Sequence, residues 1–177
     1  MAALLDAATG QFAERGPAAV SLRDVAREAN VNLGLIHRYI GGKEQLLAEV
    51  LAARPGMPAM TELAGSSADD LADLTLSVIA ADAAYTKVVL RATLDGFDVP
   101  QMQIAFPLME QATAAMREML PRRDADVRVG LLVAAMLGWQ VLAPFLLEVV
   151  GQPDLSRDDA AAALRPALVA FLSAEPA

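Results

Sequence analysis

At 177 residues, 55% of them hydrophobic and with a mean hydropathy of +0.39, the chain is long enough for one or two small domains, and more apolar than a lone soluble subunit needs. The net charge of −8 argues against a uniformly nucleic-acid-binding surface. Zero cysteines exclude disulfides, thiol redox chemistry and cysteine metal sites, and the single histidine, His37, excludes a multi-histidine centre.

The N-terminal elements read clearly. Met1 to Asp6 lacks the basic and apolar regions of a signal peptide, so a cytoplasmic protein is expected. Ala3 to Gly16 forms an amphipathic helix with Leu4, Leu5, Ala8 and Phe12 on one side and Gly16 as its stop. Ser21 caps a second helix, and Asp24 three residues on completes a capping box. Leu22, Val25, Ala26 and Ala29 recur at helical spacing, and small Ala26 lets another helix cross closely. Asn30 suits a left-handed turn, Val31 is expected as an apolar plug, and Asn32 caps the next helix. Ile36, Tyr39 and Ile40 are expected as its buried stripe. Gly41-Gly42-Lys43 then opens a fourth helix, which Arg54 to Pro58 (RPGMP) ends; a domain boundary is placed there, giving domains 1–54 and 55–177.

Further helices are expected throughout the second part, with no alternating strand pattern. Ser67 caps Ala68 to Ala81, Asp82 caps a run to Asp95 that Gly96 ends, and Pro107 starts one running to Leu120. A long segment spans Asp124 to Val150, and a last one Arg157 to Ser173. Between Val129 and Leu147 only Gln140 is clearly polar, which is long enough to consider a membrane span. Gly130, Gly138 and Pro144 interrupt that run and no basic loop flanks it, so a soluble helix buried between its own core and a second subunit is expected instead. Gly130, Ala134 and Gly138 make a small-residue stripe, and Ala160, Ala163, Ala167 and Ala170 another. Charge is uneven: residues 1–54 hold six basic and six acidic side chains, residues 55–177 eight and sixteen.

The order of elements through SLRDVAREANVNLGLIHRYIGGK, with ALLDAATGQFAERG before it, resembles the DNA-binding domain of the tetracycline-repressor-like (TetR) family of transcriptional regulators. The motif covers about the first third of the chain. The resemblance implies an all-α fold: an N-terminal three-helix helix-turn-helix domain, then a helical ligand-binding and dimerisation domain. It implies double-stranded operator DNA, a second copy of the chain and a small, largely apolar effector as partners, with no cofactor and no membrane. The last two helices would form a four-helix dimer interface containing Gly130, Ala134, Gly138, Ala163, Ala167 and Ala170.

On that resemblance the recognition helix is Leu33 to Tyr39, with its first turn in the major groove. Asn32, Leu33, Gly34, Leu35 and His37 stand at that surface; the leucines are able to read only thymine methyls, and Gly34 allows close approach. Arg23, in the first turn of the preceding helix, is the candidate for a two-bond contact with guanine. Ser21, Arg38, Tyr39 and Lys43 form the expected phosphate set. Members of the family often carry a basic arm before the first helix, and a minor-groove contact of that kind is expected to be missing. The effector pocket is expected among Val89, Thr93, Met102, Phe106, Met109, Trp139 and Gln140, where a buried indole and amide need partners.

No catalytic constellation is evident: Asp69, Asp70 and Asp73 read as helix-start residues, and no phosphate-binding glycine loop occurs. The expected function is a ligand-responsive regulator, a repressor rather than an enzyme, acting as a homodimer. The alternative is a protein of the same fold that binds small molecules and has weak or lost DNA binding, motivated by Leu33, Leu35 and the neutral first domain.

Overall fold

The computed structural model describes residues 1–53, 63–81, 83–99 and 107–173. They form an all-α chain: α1 Ala2–Arg15, α2 Leu22–Glu28, α3 Leu33–Tyr39, α4 Lys43–Ala53, α5 Ala68–Ala80, α6 Ala84–Leu94, α7 Pro107–Met119, α8 Arg122–Val149, α9 Arg157–Ala163 and α10 Arg165–Ser173. The expected RPGMP break and the Asp82 cap fall outside the described residues. α6 instead has Ala83 at its N-cap, with no side-chain cap.

Packing groups the chain differently from a boundary after Arg54. One compact unit joins Met1–Met57 with Asp82–Ala105; the other joins Pro58–Ala81 with Phe106–Ala177. α6 therefore belongs with α1 to α4. In this first unit Phe12, Val25, Ile36, Leu46, Leu47, Val50, Leu51 and Val88 are buried. Burial of each such side chain contributes roughly 1.5–3 kcal/mol before conformational entropy is subtracted. α6 packs along α1 and touches α4. It also serves backbone groups that helix ends leave unpaired. Tyr85 donates its hydroxyl to Leu51 O at 3.3 Å, and Arg91 Nε donates to Ala13 O at 2.9 Å. Asp95 Oδ2 accepts the Ala18 N–H at 2.8 Å. Gly96, at φ +85°, then closes α6, with Phe97 N–H returning to Ala92 O at 2.9 Å.

The second unit has its own core of Leu63, Leu71, Ala72, Ala115, Met116, Ala125, Val129 and Leu172, drawn from α5, α7, α8, α10 and the segment before α5. Arg165 joins α10 to α5 through Asp73 at 2.6 Å and Asp69 at 3.0 Å. The expected single helix from Arg157 to Ser173 is divided at Leu164 into α9 and α10. Pro166 is the reason: it has no N–H to donate to Ala162 O.

α8 corresponds to the long segment expected from Asp124 to Val150. Gly130, Gly138 and Pro144 lie inside it without ending it, so it runs unbroken for 28 residues. By length and composition it is apolar enough to cross a membrane, yet one side packs on its own core, through Ala125, Val129, Met136, Gln140, Ala143 and Leu147. The side expected against a second subunit is open in the single chain: Val127, Leu131, Leu142, Phe145 and Val149 are exposed. Steps of three, four and eleven residues keep them on one side of the helix, where they form one apolar strip.

Candidate nucleic-acid interface

The α2–turn–α3 unit is built by local chemistry. Ser21 Oγ accepts the Asp24 N–H at 3.2 Å and donates to Asp24 Oδ2 at 2.6 Å, while the Ser21 N–H reaches the same carboxylate oxygen at 3.3 Å. These bonds, the hydroxyl's foremost, hold the Asp24 carboxyl below the usual carboxylate range; Arg27 at 2.9 Å adds to the effect. α2 ends in a Schellman turn. Asn30 takes φ 53°, its N–H bonds to Arg27 O at 3.3 Å, and the Val31 N–H bonds to Ala26 O at 2.9 Å. Asn32 Oδ1 then accepts the Gly34 N–H at 2.7 Å and starts α3. Two caps and one left-handed residue thus fix where the short helix points.

α3 buries Ile36 and leaves most of its remaining surface outward. Gly34, Leu35, His37, Arg38 and Tyr39 are exposed, Leu33 half-buried. Tyr39 departs from the expected buried stripe: it is 70% exposed, beside the Ile36–Ile40 line, with the Arg38 guanidinium 5.5 Å from its ring centroid. Val31 is likewise no plug. It is 37% exposed, because the turn at Asn30 uses its backbone N–H and leaves its side chain at the surface. Arg23 is exposed, and among the described residues no carboxylate pairs with it; Glu28 instead takes the Gln11 amide at 2.5 Å. Two members of the expected phosphate set are already engaged. The Ser21 hydroxyl belongs to its cap, and Lys43 Nζ donates to Ala18 O at 3.0 Å. The arrangement offers a short helix with an exposed aromatic, two arginines and a histidine around it, which is the equipment for touching phosphates and base edges.

The effector candidates do not converge in one cavity. Val89 is half-buried on α6 in the first unit; Thr93 is exposed there, its hydroxyl donating to Val89 O at 2.9 Å. Met102 and Phe106 lie outside the described residues. The second unit encloses a small apolar cavity of about 30 Å³, lined among others by Leu71, Thr75, Met109, Met116, Leu132 and Met136. Met109 is the expected residue that lines it. Gln140 is buried and donates to Val78 O. The Trp139 indole Nε1 is buried and finds no hydrogen-bond partner among the described residues. Gly130, Ala134, Ala163, Ala167 and Ala170 are exposed, and Gly138 is half-buried. Among the described residues no cluster of acidic or histidine side chains is fit to hold a metal.

A capped three-helix unit presenting a short helix with an outward arginine, aromatic and histidine, together with a helical second unit, defines the class of helix-turn-helix transcriptional regulators. The family profile described as "Bacterial regulatory proteins, tetR family" matches residues 4–50. The chain is 37% identical over 175 residues to the HTH-type transcriptional repressor Rv3405c of Mycobacterium tuberculosis, covering 97% of this chain and 88% of that protein. In fold it is similar to SCO7222, a TetR from Streptomyces coelicolor (TM-score 0.68, 16% identity, 99% and 98% of the two chains). It is also similar to BioQ of Mycobacterium smegmatis (TM-score 0.63, 20% identity, 98% and 97%). The chain belongs to the tetR family of bacterial regulatory proteins, and is a helix-turn-helix transcriptional regulator.

Proposed function

We propose that this regulator is a homodimeric repressor that binds operator DNA through α3 and is released by a small, largely apolar effector. In this reading residues 1–54 carry the DNA contacts and residues 55–177 carry effector binding and dimerisation. The observation that carries it is the outward surface of α3, with exposed Arg23 on the preceding helix. Rv3405c, a relative matched over 88% of its length, is itself called a repressor.

Pairing is supported by the apolar strip of α8, whose exposed Leu131, Leu142 and Phe145 would otherwise face water. Exposed Ala163, Ala167 and Ala170 add a small-residue surface on α9 and α10. Two copies would set two recognition helices at half-sites ~34–36 Å apart, so a shift of a few ångströms would weaken binding.

Effector binding is supported by the unsatisfied Trp139 N–H, which favours a ligand with one acceptor on an apolar body. The 30 Å³ cavity is well below the roughly 300–1,000 Å³ of ligand pockets, so a ligand must widen it. Flexible Met109, Met116 and Met136 in its wall suit that adjustment.

The test is selection of bound fragments from the source genome, followed by titration at several salt concentrations. We expect an enriched palindromic sequence and a log–log salt slope of about −0.9 per phosphate contacted. A second reading, of the same fold with DNA binding weak or lost, draws on the engaged Ser21 and Lys43 and on Leu35 at 50% exposure. No enrichment and a flat salt response would establish it.

A further inference from the structure

The structure assigns Asp95, at the C-cap of α6, as a positioning residue for the helix-turn-helix, acting through the backbone of Ala18. Ala18 lies in the turn between α1 and α2, three residues before the Ser21 cap. Its N–H is held by Asp95 Oδ2 at 2.8 Å and its C=O by Lys43 Nζ at 3.0 Å. One residue of the turn is therefore gripped from α6 on one side and from the start of α4 on the other. One turn earlier on α6, Arg91 holds Ala13 O at 2.9 Å, a carbonyl that the end of α1 leaves unpaired. The two α6 contacts have opposite polarity, one accepting and one donating, so they fix the register of α6 against the end of α1.

The direction that α2 takes from α1 is set in residues 16–20, and α3 follows from α2 through its Schellman turn. Asp95 is exposed and far from the outward side of α3 in sequence, so it is assigned no contact with DNA. Its role is to keep populated the α2–α3 orientation that binds. Loss of that hydrogen bond lowers the competent fraction, and apparent affinity falls in proportion. The assignment rests on the proposed DNA-binding reading.

The experiment compares full-length wild type, D95A and D95N. Amide exchange at Ala18 is read by NMR without DNA, and affinity is read for the fragment enriched by wild type. D95A is expected to expose the Ala18 amide to faster exchange and to weaken binding by about three- to tenfold, the range for one modest hydrogen bond. Its salt slope and sedimentation mass stay at wild-type values, which separates lost positioning from lost phosphate contacts. D95N keeps one acceptor oxygen and is expected to retain most of the protection and affinity, which keeps the test valid if D95A folds poorly. Unchanged exchange in D95A, faster exchange with unchanged affinity, or D95N behaving as badly as D95A overturns the assignment. Failure of wild type to enrich any sequence is a different result, seen before any variant is made, and overturns the DNA reading itself.

Discussion

A β-carbon on Gly16 would stand 2.7 Å from Oδ2 of Asp95, the same oxygen that accepts the Ala18 N–H. Gly16 also takes φ +82° and ψ 148°, a region essentially reserved for glycine. Two independent constraints therefore demand glycine at the end of α1, one from the backbone and one from α6.

Gly16→Ala should destabilise the chain by about 1–3 kcal/mol through backbone strain, with a further contribution from the displaced carboxylate. Chemical denaturation of G16A, D95A and the double variant checks this. The double variant should lose less than the two singles added together, because removing the carboxylate removes the clash. Strict additivity would show that the alanine methyl never meets Asp95.

Arg23→Ala should abolish preference at one base pair and leave the rest of the recognition sequence intact. Discrimination worth about 1–3 kcal/mol is expected to disappear there, the range for a two-bond guanine contact. Competition binding against single-position variants of the selected fragment measures it. Superimposable specificity profiles would refute the assignment of Arg23 to a base.

Gly138→Leu should convert a dimer into a monomer without harming the fold. Among the described residues nothing lies within 4 Å of a β-carbon at Gly138, so a larger side chain meets open space unless a partner occupies it. Sedimentation mass together with helical circular dichroism separates the two effects. A dimer that persists places the interface elsewhere.

Acid should weaken the chain partly through its two capping boxes. The Asp24 and Asp70 carboxyls lie below their ordinary value of 3.8, chiefly because the Ser21 and Ser67 hydroxyls donate to them. Around that pH the unfolded chain therefore binds more protons than the folded one, so stability rises with pH. The contribution is fully present above 3.8 and is lost as pH falls through the lower folded values. Asp73 and Asp126 are lowered in the same sense by Arg165 and Arg117. Replacing both serines by alanine should flatten the decline in denaturation midpoint between about pH 5 and about pH 2; a decline as steep as wild type would locate acid sensitivity outside the caps.

The local grammar of the chain was legible because it resides in single residues and short spacings. Ser21 with Asp24, Ser67 with Asp70, Asn30 and Gly96 each announce a helix end through a group that must be paired or a φ that must be positive. Leu4, Phe12 and Val25 announce a buried side by periodicity alone. What periodicity does not specify is the neighbour. α6 reads as an amphipathic helix of the second part, yet its polar ends find their partners on α1, α4 and the turn between α1 and α2, far away in sequence.

Side-chain direction within a short helix was the other illegible quantity. In seven-residue α3, Ile36 anchors the buried side, and a small rotation puts Tyr39 out with Arg38. The break between α9 and α10 was written at Pro166 but hidden by the alanine run before it. The apolar strip on α8 could not be divided by composition into a side facing its own core and a side facing away.

The route of the chain has a practical corollary for taking it apart. A fragment that stops after α4 carries the whole reading head but leaves behind the helix that covers α1 and satisfies Leu51 O, Ala13 O and the Ala18 N–H. The head is thus not a detachable cassette. Grafting it onto another regulator would require transplanting α6 as well, from beyond α5 in the sequence.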